Sequence, residues 1–244
     1  MADQKKPVFL TAEWRKLVMV NYPLNPEILA PFVPPHTELD FYAGKCFVSL
    51  IGFMFLHTKM KGIPIPFHQN FEEVNLRFYV RYKEGDTWRR GAVFIKEIVP
   101  KFMISLVANT LFGEKYETRK MNHEWILKPE MQKLTYRWKT GLWNSISVET
   151  EPIPIDIVSG SEEEFISEHY WGYTQTGQNK ASEYAVEHPK WQIYKTTSFE
   201  IEVDFGKNYG PEFSFLQETR PSSVFVAEGS KVLVRNGRLI ADKR

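Results

Sequence analysis

Cysteine is almost missing from this 244-residue sequence: Cys46 stands alone. One thiol cannot form an intramolecular disulfide, and it falls short of the pairs from which cysteine-held zinc sites are built. It opens the apolar stretch Cys46-Phe47-Val48-Ser49-Leu50-Ile51, where a lone thiol reads as a small buried hydrophobe. An excess of either charge is missing too, since 31 Lys+Arg balance 30 Asp+Glu for a formal net charge of +1. Without a global field, nucleic acid and anionic membrane are disfavoured partners. The longest apolar run, residues 46–56, contains Ser49 and Gly52 and is far shorter than the roughly 20 residues of a bilayer span. The opening MADQKKPVFL lacks the apolar centre of a signal peptide, so the expected compartment is the cytoplasm.

Chemistry-bearing motifs are scarce as well. The sequence has no Gly-rich phosphate loop, dinucleotide fingerprint or nucleophile elbow. His123-Glu124 has no second His at helical zinc spacing, and His169 and His188 are isolated in sequence. No metal site and no cofactor is expected.

What is present is aromatic. Phe, Tyr and Trp make up 15% of the residues, and such side chains suit half-buried pleated surfaces and ligand pockets. The 43% hydrophobic and 25% charged residues are an ordinary globular balance. Without a linker, repeat or composition break, residues 1–244 read as one domain.

Asn25-Pro26-Glu27 predicts a capped short helix, ended by Val33-Pro34-Pro35. Residues 37–42 and 46–56 read as a hairpin, and 62–66 as a proline-rich loop over the surface or a pocket mouth. Strands are expected at 71–82 and 88–98, then a buried helix over 99–111 stopped by Gly113. Strands follow at 116–127, 134–139 and 143–151. Ser161-Glu162-Glu163-Glu164 is a capping box opening a helix over 165–171 that carries His169. Strands at 191–205, 224–226 and 231–240 close the chain. The fold class is α+β, mainly β: an antiparallel β-barrel with a central cavity and a few peripheral helices.

The run 71–82 holds the main candidates. Period two sets Glu73, Asn75, Arg77 and Tyr79 on one face and Val74, Leu76, Phe78 and Val80 on the other. An acid, an amide, a guanidinium and a phenol in a row describe a solvated strand face or the polar wall of a barrel lumen. In a lumen, Arg77 would pair with a carboxylate ligand. His169 is expected to hydrogen-bond a neighbouring loop, and Trp191 to pack in the barrel wall away from ligand.

Several segments resemble the family known as domain of unknown function 2071. They are Tyr22-Pro23-Leu24-Asn25-Pro26-Glu27-Ile28-Leu29, Glu73-Val74-Asn75-Leu76-Arg77-Phe78-Tyr79-Val80, Gly91-Ala92-Val93-Phe94, Leu111-Phe112-Gly113-Glu114-Lys115-Tyr116, Glu168-His169-Tyr170-Trp171 and His188-Pro189-Lys190-Trp191. That family is similar in turn to acetoacetate decarboxylase. The resemblance implies a barrel-like fold around a cavity, with Glu73 where the decarboxylase pattern has an acid before its central strand pair and Lys115 close to its Schiff-base lysine. Tyr116 stands where the decarboxylase has a second, activating lysine, so Lys115 is expected to be charged and paired with the neighbouring acids Glu114 and Glu117.

The resulting expectation is a protein that binds a small polar or anionic molecule, carboxylate-bearing, through Glu73, Asn75, Arg77 and Tyr79. The alternative is a decarboxylase-like enzyme acting on a small oxo-acid through Lys115, with Glu73 as the second catalytic residue. A third reading makes Glu73 the general base of a hydrolase or hydratase. Assembly with further copies of the chain is left open.

Overall fold

A computed structural model describes residues 6–241, apart from the side chains of Ala108, Leu111 and Phe112. Residues 1–5 of the polar opening lie outside that range. The first strands are β1 (Val8–Leu24), β2 (Thr37–Leu39), β3 (Cys46–Met60), β4 (Ile63–Pro64), β5 (Phe71–Glu84) and β6 (Thr87–Val99). Then come β7 (Tyr116–Thr118), β8 (Met121–Leu127), β9 (Gln132–Thr140), β10 (Leu142–Thr150) and β11 (Ile155–Asp156). The last are β12 (Trp171–Gly177), β13 (Lys180–Glu187), β14 (Gln192–Tyr194), β15 (Thr196–Glu202), β16 (Ser223–Arg235) and β17 (Arg238–Ala241). The α-helices are short: α1 (Pro26–Leu29), α2 (Phe102–Phe112), α3 (Glu162–Ser167) and α4 (Phe205–Tyr209).

In the larger sheet β16, β1, β3, β5, β6, β12 and β13 follow one another, and β13 pairs back to β16. The sheet thus closes into a ring and leaves no free edge along that path. Pairing is antiparallel except where β7 and β12 join β6 in parallel. A second sheet, β15-β10-β9-β8, covers the outside of the ring. Val74, Leu76, Phe78 and Val80 of β5 pack there in one core with Leu134, Tyr136 and Trp138 of β9 and with Ile146 and Val148 of β10. Each buried large apolar side chain contributes about 1.5–3 kcal/mol, so this outer contact holds the strand in place. The opposite face of β5, with Glu73 and Asn75, looks into the ring.

The fold is mainly β with few helices, as the sequence predicts, but several elements differ. The long strand β1 went unread because Leu17 to Tyr22 are buried on both faces, which erases the period-two alternation. The hairpin β12–β13 was hidden by Gly172 and Gly177, which depress strand propensity. The short strand β2 pairs β5 rather than β3, so the expected 37–56 hairpin does not form. The helix over 99–111 is α2, closed as expected by Gly113 at φ +70, but it is not buried. Phe102 is 65% and Met103 48% exposed. The stretches 116–127 and 191–205 each divide between the two sheets, as β7 with β8 and β14 with β15. The capped helix α3 ends at Ser167, its cap formed by Ser161 Oγ accepting from Glu164 N at 3.2 Å. His169 therefore follows the helix instead of riding on it. Among the described residues no helix is long and apolar enough to cross a membrane.

Candidate functional site

The ring encloses a cavity of about 220 Å³, and its lining comes from every strand of the ring together with α2. Register explains which polar groups meet there. Asn75 of β5 lies opposite Glu97 of β6, and Glu97 lies beside Tyr116 of β7, so three neighbouring strands place an amide, an acid and a phenol in one row. A bulge in β6 leaves Ile95 unpaired between Lys96, opposite Leu76, and Phe94, opposite Arg77. The extra residue lets Glu97, Phe94 and Ala92 all line the cavity despite an odd spacing. In the segment after α2, Glu114 and Tyr116 turn inwards.

Three carboxyl groups, Glu73, Glu97 and Glu114, are buried at this wall. Glu73 Oε1 accepts from Asn75 Nδ2 at 2.8 Å, and its Oε2 accepts from the Tyr116 hydroxyl at 3.1 Å. Glu114 Oε1 accepts from Thr174 Oγ1 at 2.7 Å and from the Tyr184 hydroxyl at 2.9 Å. Burial pushes Glu73 up to about 7, against the downward pull of the Asn75 and Tyr116 hydrogen bonds. Burial likewise raises Glu114 to about 7. Glu97 is held well above the carboxylate range by burial and by the charges of Glu114 and Glu73. Like charges this close resist joint ionisation, so the group holds protons at neutral pH.

The other polar wall is cationic and aromatic. Arg77 donates from Nη2 to the Ile166 carbonyl at 3.3 Å and from Nε to the Tyr79 hydroxyl at 3.4 Å. No ion pair joins it to a carboxylate among the described residues. His169 lies 3.2 Å from Asp40 Oδ2 through Nε2, and Arg90 Nε donates to the same oxygen at 2.6 Å. Burial takes His169 down to about 4, so the imidazole is neutral. Asp40 is held low by its hydrogen bonds to His169 and Arg90, which outweigh burial. The ring proton therefore belongs on Nε2, facing Asp40, and Nδ1 is left as an acceptor with no partner. His188, taken down to about 4 by burial, stacks on Trp191 at 4.0 Å between ring centres.

Of the sequence candidates, Glu73, Asn75 and Arg77 line the cavity together. Tyr79 is buried behind them, donating to Ser49 Oγ at 2.8 Å, and is not a lining residue. Lys115 is exposed, with Nζ 5.6 Å from the centre of the Phe32 ring, and is also outside the lining. Alternation sends Lys115 out because Glu114 and Tyr116 point in. Glu114 is thus not its surface partner, and Glu117 pairs instead with Lys96 at 3.0 Å and Arg119 at 2.8 Å. Trp191, expected away from ligand, lines the cavity. Glu97 and Glu114 escaped sequence reasoning. The bulge hid the first, and the second read as a counterion of Lys115.

A family model described as an uncharacterized conserved protein, domain of unknown function 2071, matches residues 11–231. The chain belongs to this family. An uncharacterized member of the curated proteins, YqjF of Bacillus subtilis strain 168, is 31% identical over 112 residues, or 46% of this chain and 45% of that one. The chain thus aligns with under half the length of that relative. Acetoacetate decarboxylase from Legionella pneumophila superposes with a TM-score of 0.67 over 98% of this chain and 90% of its own, at 13% identity. The enduracididine biosynthesis enzyme MppR, solved with a condensation product of pyruvate and imidazole 4-carboxaldehyde, gives 0.67 over 98% and 91%, at 14% identity. An acetoacetate decarboxylase-like enzyme from Sphingomonas wittichii RW1 gives 0.64 over 96% and 94%, at 12%. The family member described here has the acetoacetate decarboxylase-like fold. At such low identity that likeness concerns the fold alone.

Proposed function

We propose that the chain binds a small carboxylate-bearing organic molecule in the ring cavity, anchored by Arg77. The supporting observation is Arg77 itself. It lines the cavity, yet its hydrogen bonds go to a phenol and a backbone carbonyl, and no ion pair joins it to a carboxylate among the described residues. Guanidinium groups match carboxylates bidentately, and a charge-assisted hydrogen bond contributes about 1.5–3 kcal/mol. Ser167 follows Ile166, whose carbonyl accepts from Arg77, and its buried hydroxyl has no partner. It supplies a second donor to the same anion. The aromatic walls, including Trp14, Phe53, Phe94 and Trp191, suit an apolar ligand body.

The test is calorimetric titration with hexanoate. Arg77→Ala is expected to weaken binding about tenfold or more while the protein stays folded. Equal affinity for the folded variant would refute the anchor. The decarboxylase alternative draws on the fold likeness, but Schiff-base chemistry needs an amine at the substrate. Among the described residues no lysine lines the cavity, so this reading lacks its nucleophile there.

A further inference from the structure

We infer that the wall of the cavity formed by Glu73, Glu97 and Asn75 takes a cationic nitrogen, an ammonium or amidinium, so that the ligand is a zwitterion carrying its two charges at opposite ends. The inference rests on the Arg77 reading for the anionic end only.

The first observation is a surplus of acceptors. Glu97 Oε2 and Asn75 Oδ1 are both buried at the cavity wall, and neither has a hydrogen-bond partner. A buried acceptor left unmade carries a desolvation penalty that native structures rarely tolerate. Asn75 is not part of the acidic group, and its amide nitrogen is already committed to Glu73, so its oxygen independently calls for a donor. An N–H cation brings two or three donors and the charge that three clustered carboxyls favour. Among the described residues these side chains do not gather into a metal-ligating group.

The second observation is spacing. Glu73 and Arg77 lie on one face of β5 four residues apart, or about 13 Å at about 3.3 Å per residue. Asn75, opposite Glu97, lies between them, so the cationic wall runs from about 7 to about 13 Å along the strand from Arg77. A flexible chain of a few methylenes between an amine and a carboxylate can bridge from Arg77 to that wall. The walls between the two ends are apolar, as such a chain requires.

Cation entry changes the protonation of the wall. Glu73, Glu97 and Glu114 hold protons that a nearby ammonium would displace. Tyr116 and Tyr184 face them, Lys115 acts on Glu114 from outside, and Arg77 acts on Glu73 along the strand. The phenols stay protonated at neutral pH and the imidazoles of His169 and His188, which also line the cavity, are already neutral, so the released proton comes from the carboxyl group.

The test compares hexanoate, hexylamine and 6-aminohexanoate by calorimetry near pH 7, in two buffers of different ionisation enthalpy. The expected result is that 6-aminohexanoate binds about tenfold or more tightly than hexanoate, with proton release seen for it and for hexylamine but not for hexanoate. Glu97→Gln should remove most of that gain. If that variant fails to fold, Glu73→Gln is read in its place. Equal binding of hexanoate and 6-aminohexanoate, both weakened by Arg77→Ala, would overturn the cationic wall and leave the anchor standing. Binding of both amines unaffected by Arg77→Ala would support the cationic wall and refute the anchor. Failure of all three probes to bind would count against the zwitterion.

Discussion

Tyr116 has one hydroxyl proton and two carboxyl neighbours. That proton is donated to Glu73, and Glu97 lies beside Tyr116 in the parallel pairing of β6 and β7. Burial, together with the charges of Glu114 and Glu73, holds Glu97 well above the carboxylate range, so it keeps its proton. A folded-state pKa above the unfolded one means that the native protein holds a proton the unfolded chain has lost. Stability is then full below the unfolded value and falls as pH rises towards the folded value. Glu97→Gln has no proton to lose. Its melting temperature relative to the parent should therefore climb between pH 5 and 8.5, by up to about 1.4 kcal/mol per pH unit, or about 3–5 °C per unit for a chain of this size. Scanning calorimetry across that range checks it, and a gap that does not vary with pH would mean that Glu97 is ionised in the folded state. The sequence made Glu73, Asn75 and Arg77 legible because three polar side chains at period two are unusual in a strand. Glu97 and Glu114 were not legible, since an isolated acid within an apolar stretch carries no local mark of the tertiary neighbours that surround it.

At the scale of elements, the parallel seam between β6 and β12 shapes the acidic wall. Gly91 pairs with Trp171 and Gly172 with Ala92. A Cβ on Gly172 would lie 2.2 Å from Tyr184 Cζ, so only glycine lets the ring lie across the seam and reach Glu114. Gly172→Ala is expected to destabilise the protein by about 1–3 kcal/mol, the usual cost of overpacking, read as a lower urea midpoint. Gly177→Ala is the control, because its nearest neighbour would be the Lys180 side chain at an ordinary 3.7 Å. Equal midpoints for the two variants would show that the seam yields. Of the two strands at the seam β6 was legible, as the strand expected over 88–98, and β12 was not. In β12 Gly172 and Gly177 interrupt the run of Trp171, Tyr173, Thr174 and Thr176 and weaken its strand signal. By contrast β5, β9 and β10 alternate cleanly because each has one face against the shared core and another with different neighbours. The bulge at Ile95 is invisible for a related reason: it is defined by the partner strand, not by the residues that form it.

Across the whole molecule, protection should be graded. The ring strands β1, β3 and β5 are buried on both faces for much of their length, whereas α2 shows Phe102, Met103 and Leu106 to water and rests on the cavity through Ile104 and Val107. Local opening free energies follow such differences in packing. Amide exchange read by mass spectrometry should find α2 exchanging far faster than β3, and saturating hexanoate should slow α2 selectively. An α2 as protected as β3 would contradict this grading. The same layered arrangement has a consequence for how the protein can change over time. In β5 the even-numbered residues Val74, Leu76, Phe78 and Val80 belong to the joint with the outer sheet, and the odd-numbered Glu73, Asn75 and Arg77 belong to the chamber. Residues on opposite faces share few partners, so substitutions in the two sets should be nearly additive. One set carries the foundation and the other the furnishing. New specificities can accumulate in the chamber while the masonry behind it stays untouched.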